Sequence, residues 1–180
     1  MATTSDPRPL AGEPLALDLL NTRWMKEGSV QDLLADVDGL GVWLAANGLD
    51  GGYSPDTRML SHTLQAREAL RTTVDESLRE GAPLVDAVLR NGRIRATLTA
   101  EGPGEIPEFD DPRWAPGWLA ARNYLELLAA APDRIRHCAH EACILHFYDT
   151  SRNGTRRWCS MAACGNRAKA SRHYTRVKES

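Results

Sequence analysis

The chain has 180 residues, enough for one medium domain with a buried core and a small appended unit. Its formal charge of -2 hides a division: residues 1–131 carry twelve Lys/Arg against twenty Asp/Glu, and residues 132–180 carry ten against four. No run of eighteen apolar residues occurs, and the polar residues 1–9 lack a charged-then-apolar signal pattern, so no membrane span and a soluble, cytoplasmic protein are expected.

The first predicted element is residues 15–22, Leu15-Ala16-Leu17-Asp18-Leu19-Leu20-Asn21-Thr22, read as a strand that ends in polar side chains. Asp18, Asn21 and Arg23 are candidates for a small-molecule pocket. Asp18 and Asn21 also suit the satisfaction of nearby backbone groups, which is the preferred reading. Trp24 and Trp43 are assigned to the core. Residues 32–46 carry Leu33, Leu34, Val37, Leu40, Trp43 and Leu44 at helical steps, with Gly48 as the stop. Ser54-Pro55 predicts the start of a long amphipathic helix reaching about residue 80, with Met59, Leu60, Leu64, Leu70, Val74 and Leu78 on one face. On it, Arg67 is either an anchor for an anionic ligand or an ion-pair residue.

A short helix is expected over residues 83–90, stopped by Asn91-Gly92, then a half-buried strand over residues 93–99. Residues 101–117, rich in Pro, Gly and acid, predict a loop pinned by Trp114 and Trp118. Residues 116–131 predict a helix with Leu119, Tyr124, Leu127 and Leu128 facing inward. Pro132-Asp133 marks a boundary between an N-terminal unit, residues 1–131, and a C-terminal unit, residues 132–180. The linker is so short that the two are expected to pack together.

All four cysteines lie in the second unit, as CAHEAC and CSMAAC separated by fifteen residues: Cys138, Cys143, Cys159 and Cys164. Four thiolates complete a tetrahedral zinc set and leave no open position for hydrolytic chemistry. Disulfides, redox thiols and an iron–sulfur site are the competing readings. His137, His140 and His146 are the nearby residues that would replace a cysteine. A strand over residues 134–137 leads into Cys138. Residues 144–148 and 155–158 predict a hairpin about Asn153-Gly154, and Ser160 predicts the cap of a helix from Met161 to about Lys178. Knuckle, hairpin and helix in that order describe a treble-clef-like finger.

The runs Asp149-Thr150-Ser151-Arg152-Asn153, Arg157-Trp158-Cys159-Ser160-Met161 and Cys164-Gly165-Asn166-Arg167-Ala168-Lys169 resemble the CGNR zinc-finger family. Residues 15–22 and the segment Arg67-Glu68-Ala69-Leu70-Arg71 resemble pieces of the ABATE domain that precedes the finger in that family. The resemblance implies a bacterial two-domain, stress-related transcription regulator with a zinc finger. The fold class expected is α+β: a helix-rich N-terminal domain with a small β-sheet, then the four-cysteine finger.

The predicted DNA contacts are Arg152, Arg156 and Arg157 on the hairpin, and Arg167, Lys169, Arg172, Arg176 and Lys178 on the helix. Compensation of a zinc–tetrathiolate centre, about -2 in charge, accounts for some of this excess. One finger reads few bases, so high specificity would need a homodimer or a second module. The body would then sense a small-molecule effector or mediate dimerisation. A protein-interaction module and an RNA-binding factor are the rival readings. No P-loop, G-x-G-x-x-G or G-x-S-x-G occurs, and no residue constellation argues for an enzyme.

Overall fold

The computed structural model describes residues 5–170. At its centre lies α1 (Leu15–Leu20), where a strand was predicted. With Asp18 its one polar residue, the run carries no alternation to separate the two, and Leu and Ala without a β-branched neighbour favour helix. The Pro14 carbonyl accepts the first N–H groups, from Leu17 at 2.8 Å and Asp18 at 2.9 Å. Ala16 through Leu20 are all buried, so this short helix has no solvent face.

The chain then forms a hairpin that sequence reading did not anticipate, β1 (Arg23–Lys26) against β2 (Ser29–Asp32). It turns at Glu27-Gly28, both with positive φ (52° and 81°), the backbone that a tight two-residue hairpin demands. Asp32 therefore ends a strand instead of starting a helix. After a 3-10 turn, α2 (Val37–Ala46) begins at Asp36, whose carboxylate accepts the Gly39 N–H at 2.8 Å.

The single long helix predicted up to residue 80 is two. Asp56, not Ser54, caps α3 (Thr57–Arg71), accepting from Met59 N–H at 2.7 Å. A π-helical turn over Thr72–Glu76 then breaks the run, and α4 (Leu78–Leu89) restarts from Ser77, absorbing the short helix expected at 83–90. The Ser77 hydroxyl accepts from Glu80 N–H and donates to the Glu80 carboxylate, an N-cap hidden beneath the continuous apolar spacing of Val74 and Leu78.

Strand β3 (Gly92–Thr99) forms where predicted but is not half-buried, since none of its residues is buried and Leu98 is 83% exposed. The expected loop after it contains β4 (Gly102–Phe109), paired antiparallel with β3. Pro103 and Pro107 argued against a strand. A two-stranded ribbon has one free edge per strand, where a missing N–H costs no ladder bond. Trp114 stacks on His62 with centroids 3.9 Å apart, and Trp118 donates from Nε1 to Leu89 O at 2.8 Å. Trp118 also meets Phe109 of β4 edge to face at 5.4 Å, which pins the ribbon to the helix that follows.

The last body helix is α5 (Ala115–Ala130). The core between α1 and α5 is built from Leu17, Leu20, Trp43, Leu44, Leu70, Val88 and Tyr124, with α1 packed against both α3 and α5. Helices α3 and α5 cross closely at Gly117, where a Cβ would meet the Ala66 Cβ at 2.8 Å.

In the C-terminal part, β5 (Ile135–His137) pairs antiparallel with β6 (His146–Tyr148) across the first cysteine pair. The predicted pairing of residues 144–148 with 155–158 is not formed. Asp149 is the reason. Its buried carboxylate accepts from Ser151 N–H at 2.9 Å and Arg156 N–H at 3.0 Å, gathering residues 149–156 into a closed loop. Asn153-Gly154 still turns, with Gly154 at φ 60°, but it joins no ladder. The returning segment is tied to the knuckle by Ala139 N–H to Arg157 O, at 2.9 Å, outside any ladder. Ser160 caps the final helix as expected, which opens with a π-helical turn (Met161–Gly165) and continues as α-helix over residues 166–170. Its predicted extension to Lys178 lies outside the described residues. The α+β class, helix-rich body then four-cysteine finger, holds.

Candidate metal centre and basic surface

Each cysteine is placed by a local device. Cys138 follows β5 and donates its N–H to Leu145 O, while Cys143 N–H closes on His140 O at 2.8 Å, forming the knuckle. Cys159 precedes the Ser160 cap, and Cys164 sits in the first turn of the helix. All four are buried and their sulfurs lie within 4.8 Å of one another. The Cys143–Cys159 and Cys159–Cys164 sulfurs are 3.8 and 3.6 Å apart. A disulfide needs about 2.05 Å. A tetrahedral zinc with Zn–S of about 2.3 Å sets an edge of about 3.8 Å, so the sulfur spacing fits the ion and not a bridge.

The electrostatics agree. Hydrogen bonding from the Cys159 thiol pulls Cys143 below its ordinary pKa. That same bond pushes Cys159 up, and burial pushes Cys164 up. A cluster of thiolates this close is held together by a dication. Two N–H···S bonds, from Cys159 N to Cys138 Sγ at 3.4 Å and from Arg167 Nη2 to Cys164 Sγ at 3.2 Å, suit thiolate acceptors. Two of the three histidines are engaged elsewhere: His140 Nδ1 accepts from Ala142 N–H, and His146 Nε2 lies 3.0 Å from Asp75; His137 sets its ring edge-on to His146 at 5.1 Å. The site fits one structural zinc ion held by four sulfurs, with no position open for substrate.

The finger is also fixed to the body. The Asn21 amide accepts from His146 N–H at 2.9 Å and donates to His146 O at 2.8 Å, completing the outer edge of β6. Glu13 accepts Tyr148 N–H at 2.9 Å and the Arg156 guanidinium at 3.2 Å. Trp24 from β1 packs in one apolar cluster with the four cysteines, Leu145 and Phe147.

The predicted nucleic-acid residues separate into two sets. Arg152, Arg157 and Lys169 are exposed and make no ion pair among the described residues; Arg157 lies over the Trp158 ring at 5.2 Å. Arg156 faces inward, over Phe147 at 4.2 Å, donating to Trp158 O and Cys159 O as well as Glu13. Arg167 is held at the metal site through Cys164. Arg172, Arg176 and Lys178 lie outside the described residues.

The body candidates are mostly internal. Asp18 is fully buried and accepts from Arg8 at 2.7 Å, Gly12 N–H at 2.8 Å, and Trp43 Nε1 and Asn47 at 3.0 Å. Arg67 forms a two-bond fork with Asp32, at 2.6 and 2.7 Å, and reaches the Thr22 hydroxyl. Arg23 stands 4.0 Å from Asp32. A groove of about 600 Å³ between the β1–β2 hairpin and α2 is lined by Trp24, Met25, Asp32, Asp36 and Asp38 among others; Asp18, Asn21, Arg23 and Arg67 are not in its lining.

Sequence reading missed Asp149, Glu13 and the brace role of Arg156. The Asp149-Thr150-Ser151 run is an Asx-turn signal that could have found the first.

A family model described as CGNR zinc finger matches residues 134–177. The ABATE model, described as "Putative stress-induced transcription regulator", matches residues 13–131. No curated protein matches the chain.

Proposed function

Since the chain belongs to the ABATE family and ends in a CGNR zinc finger, we propose that it is a transcription regulator whose finger binds duplex DNA through phosphate contacts. The observation that carries this reading is the exposed trio Arg152, Arg157 and Lys169. Among the described residues these cations lack acidic partners, while the body arginines Arg8, Arg67, Arg93, Arg95, Arg113 and Arg122 all have them. An acidic body and a basic C-terminal unit, divided at about Pro132, point the polyanion to the finger. Arg172, Arg176 and Lys178 extend the same reading.

Zinc acts here as a structural ion that holds the surface in shape; phosphate recognition belongs to the arginine and lysine side chains. The body takes the regulatory part, by sensing an effector or by dimerising. We read Asp18, Asn21 and Arg67 as its frame, with Arg23 the most accessible of the four. No helix among the described residues is long and apolar enough to cross a membrane, in keeping with a cytoplasmic regulator.

The protein-interaction reading draws on one contact, Arg156 with Glu13, in which a finger cation does turn onto the body. Replacing Arg152, Arg157 and Lys169 by alanine separates the readings. Duplex affinity should fall roughly uniformly across sequences with zinc content unchanged. Unaltered affinity would remove this face from DNA recognition.

A further inference from the structure

Arg71 ends α3 beneath the finger, and both its Nε and its Nη2 are buried without a hydrogen-bond partner among the described residues. On a guanidinium these two N–H groups lie side by side and parallel. They form the edge that grips two oxygens of a carboxylate or phosphate. Nearby acids do not fill it. Glu68 Oε2 is 3.7 Å from Nε, and Asp75 Oδ2 is 3.8 Å from Nη1, both beyond hydrogen-bond reach.

The surrounding charges are already committed. Asp32 is held by both oxygens to Arg67 and has Arg23 at 4.0 Å, and Asp75 is bonded to His146 of β6. Three guanidiniums thus face two partly buried carboxylates, while Glu68 is 66% exposed. Burial first, and then the charge of Arg23, press the Arg71 pKa below its ordinary value, which marks a local shortage of negative charge. His146 is 3% exposed and its Nδ1 also lacks a partner.

We propose that the free edge of Arg71 binds a small oxyanion, the carboxylate or phosphate group of a metabolite, beside the seam where the π-helical turn after α3 meets β6 of the finger through Asp75 and His146. Asp75 touches both the Arg71 and the His146 side chains, so an occupant of this edge lies one contact away from the finger. The test reads Arg71 itself, so failure of duplex binding leaves the proposal untouched.

The experiment is an NMR titration of the zinc-loaded full chain, following the assigned Arg71 Nε–Hε signal at constant ionic strength. Inorganic phosphate and acetate are added separately against chloride. A saturable shift is expected, and the anion that produces it tells a phosphate from a carboxylate group. Arg71→Lys keeps the charge and drops the fork; it should weaken the matching thermal stabilisation roughly tenfold or more in anion concentration, with one zinc retained. An unmoved Arg71 signal through both titrations would overturn the proposal, as would undiminished affinity in Arg71→Lys. A response confined to Glu68→Gln would also overturn it, since Glu68 would then be the edge's own partner. If Arg71→Lys does not fold, the wild-type titration alone decides.

Discussion

Asn21 does for the finger what a neighbouring strand would do. Its amide exchanges two hydrogen bonds with the His146 backbone, 125 residues away in the chain. Asn21→Ala strands a buried N–H and C=O, and should cost about 1–3 kcal/mol per unpaired group in urea unfolding of the zinc-loaded protein. Asp32 is one of the partly buried carboxylates, with Asp6 and Asp75, that make stability depend on acid pH. Burial works to raise its carboxyl, but the Arg67 hydrogen bonds and charge hold it below the ordinary value. Its contribution is therefore complete above the unfolded pKa of about 3.9 and is lost as pH falls from there through the folded value. Asp32→Asn should be less stable at neutral pH and show a flatter acid limb in thermal melts between roughly pH 2 and 5. Cys159 has sulfur neighbours on both sides, and Cys159→Ser should take zinc content from one per chain to none. It removes binding that supplies about 10–16 kcal/mol in small zinc units. Intact stoichiometry in that variant would contradict the four-sulfur centre.

At the scale of elements, what could be read in the sequence followed the kind of signal available. Helix α5 and strand β3 appear where expected, and α2 does so from Val37 onward, its first predicted turn being taken by the end of β2 and a 3-10 turn. The four cysteines, their regular pairing and the Ser160 cap announced the metal centre without any tertiary information. Helix α1 was misread because its five consecutive buried residues leave no polar phase to follow. The α3–α4 break was missed because Val74 and Leu78 carry the apolar spacing across the Ser77 cap. Strand β4 was missed because its prolines lie on a ribbon with a free edge, a circumstance known only once the pairing partner is. The finger hairpin was misassigned for a related reason: Asn-Gly proposes a turn, but Asp149 decides what the turn joins. Gly117 shows a constraint of the opposite kind, invisible in any pattern. Gly117→Val would drive α5 off α3, and should cost about 1–3 kcal/mol by thermal or urea unfolding, against little effect at an exposed position such as Gly51.

Across the whole molecule, the metal centre belongs to the body's packing as much as to the finger. Trp24, at 8% exposure, lies in the same cluster as all four cysteines, and α1 meets β6 through Asn21. Chelating the zinc should therefore lower the melting temperature of the entire chain and change Trp24 emission, read against a Trp24→Phe variant. A finger that melted alone, leaving the body transition in place, would contradict this coupling. The function proposed for this assembly is the holding of duplex DNA by the finger's exposed cations, and one measurement meets it most directly. Duplex affinity of the zinc-loaded protein is determined over a series of salt concentrations. Arg152, Arg157 and Lys169 alone predict a log–log slope of about -3, at roughly 0.9 per phosphate, and a steeper one if Arg172, Arg176 and Lys178 take part. No binding at low salt, or an affinity indifferent to salt, would contradict the assignment and leave the finger as a metal-held part of the body's fold.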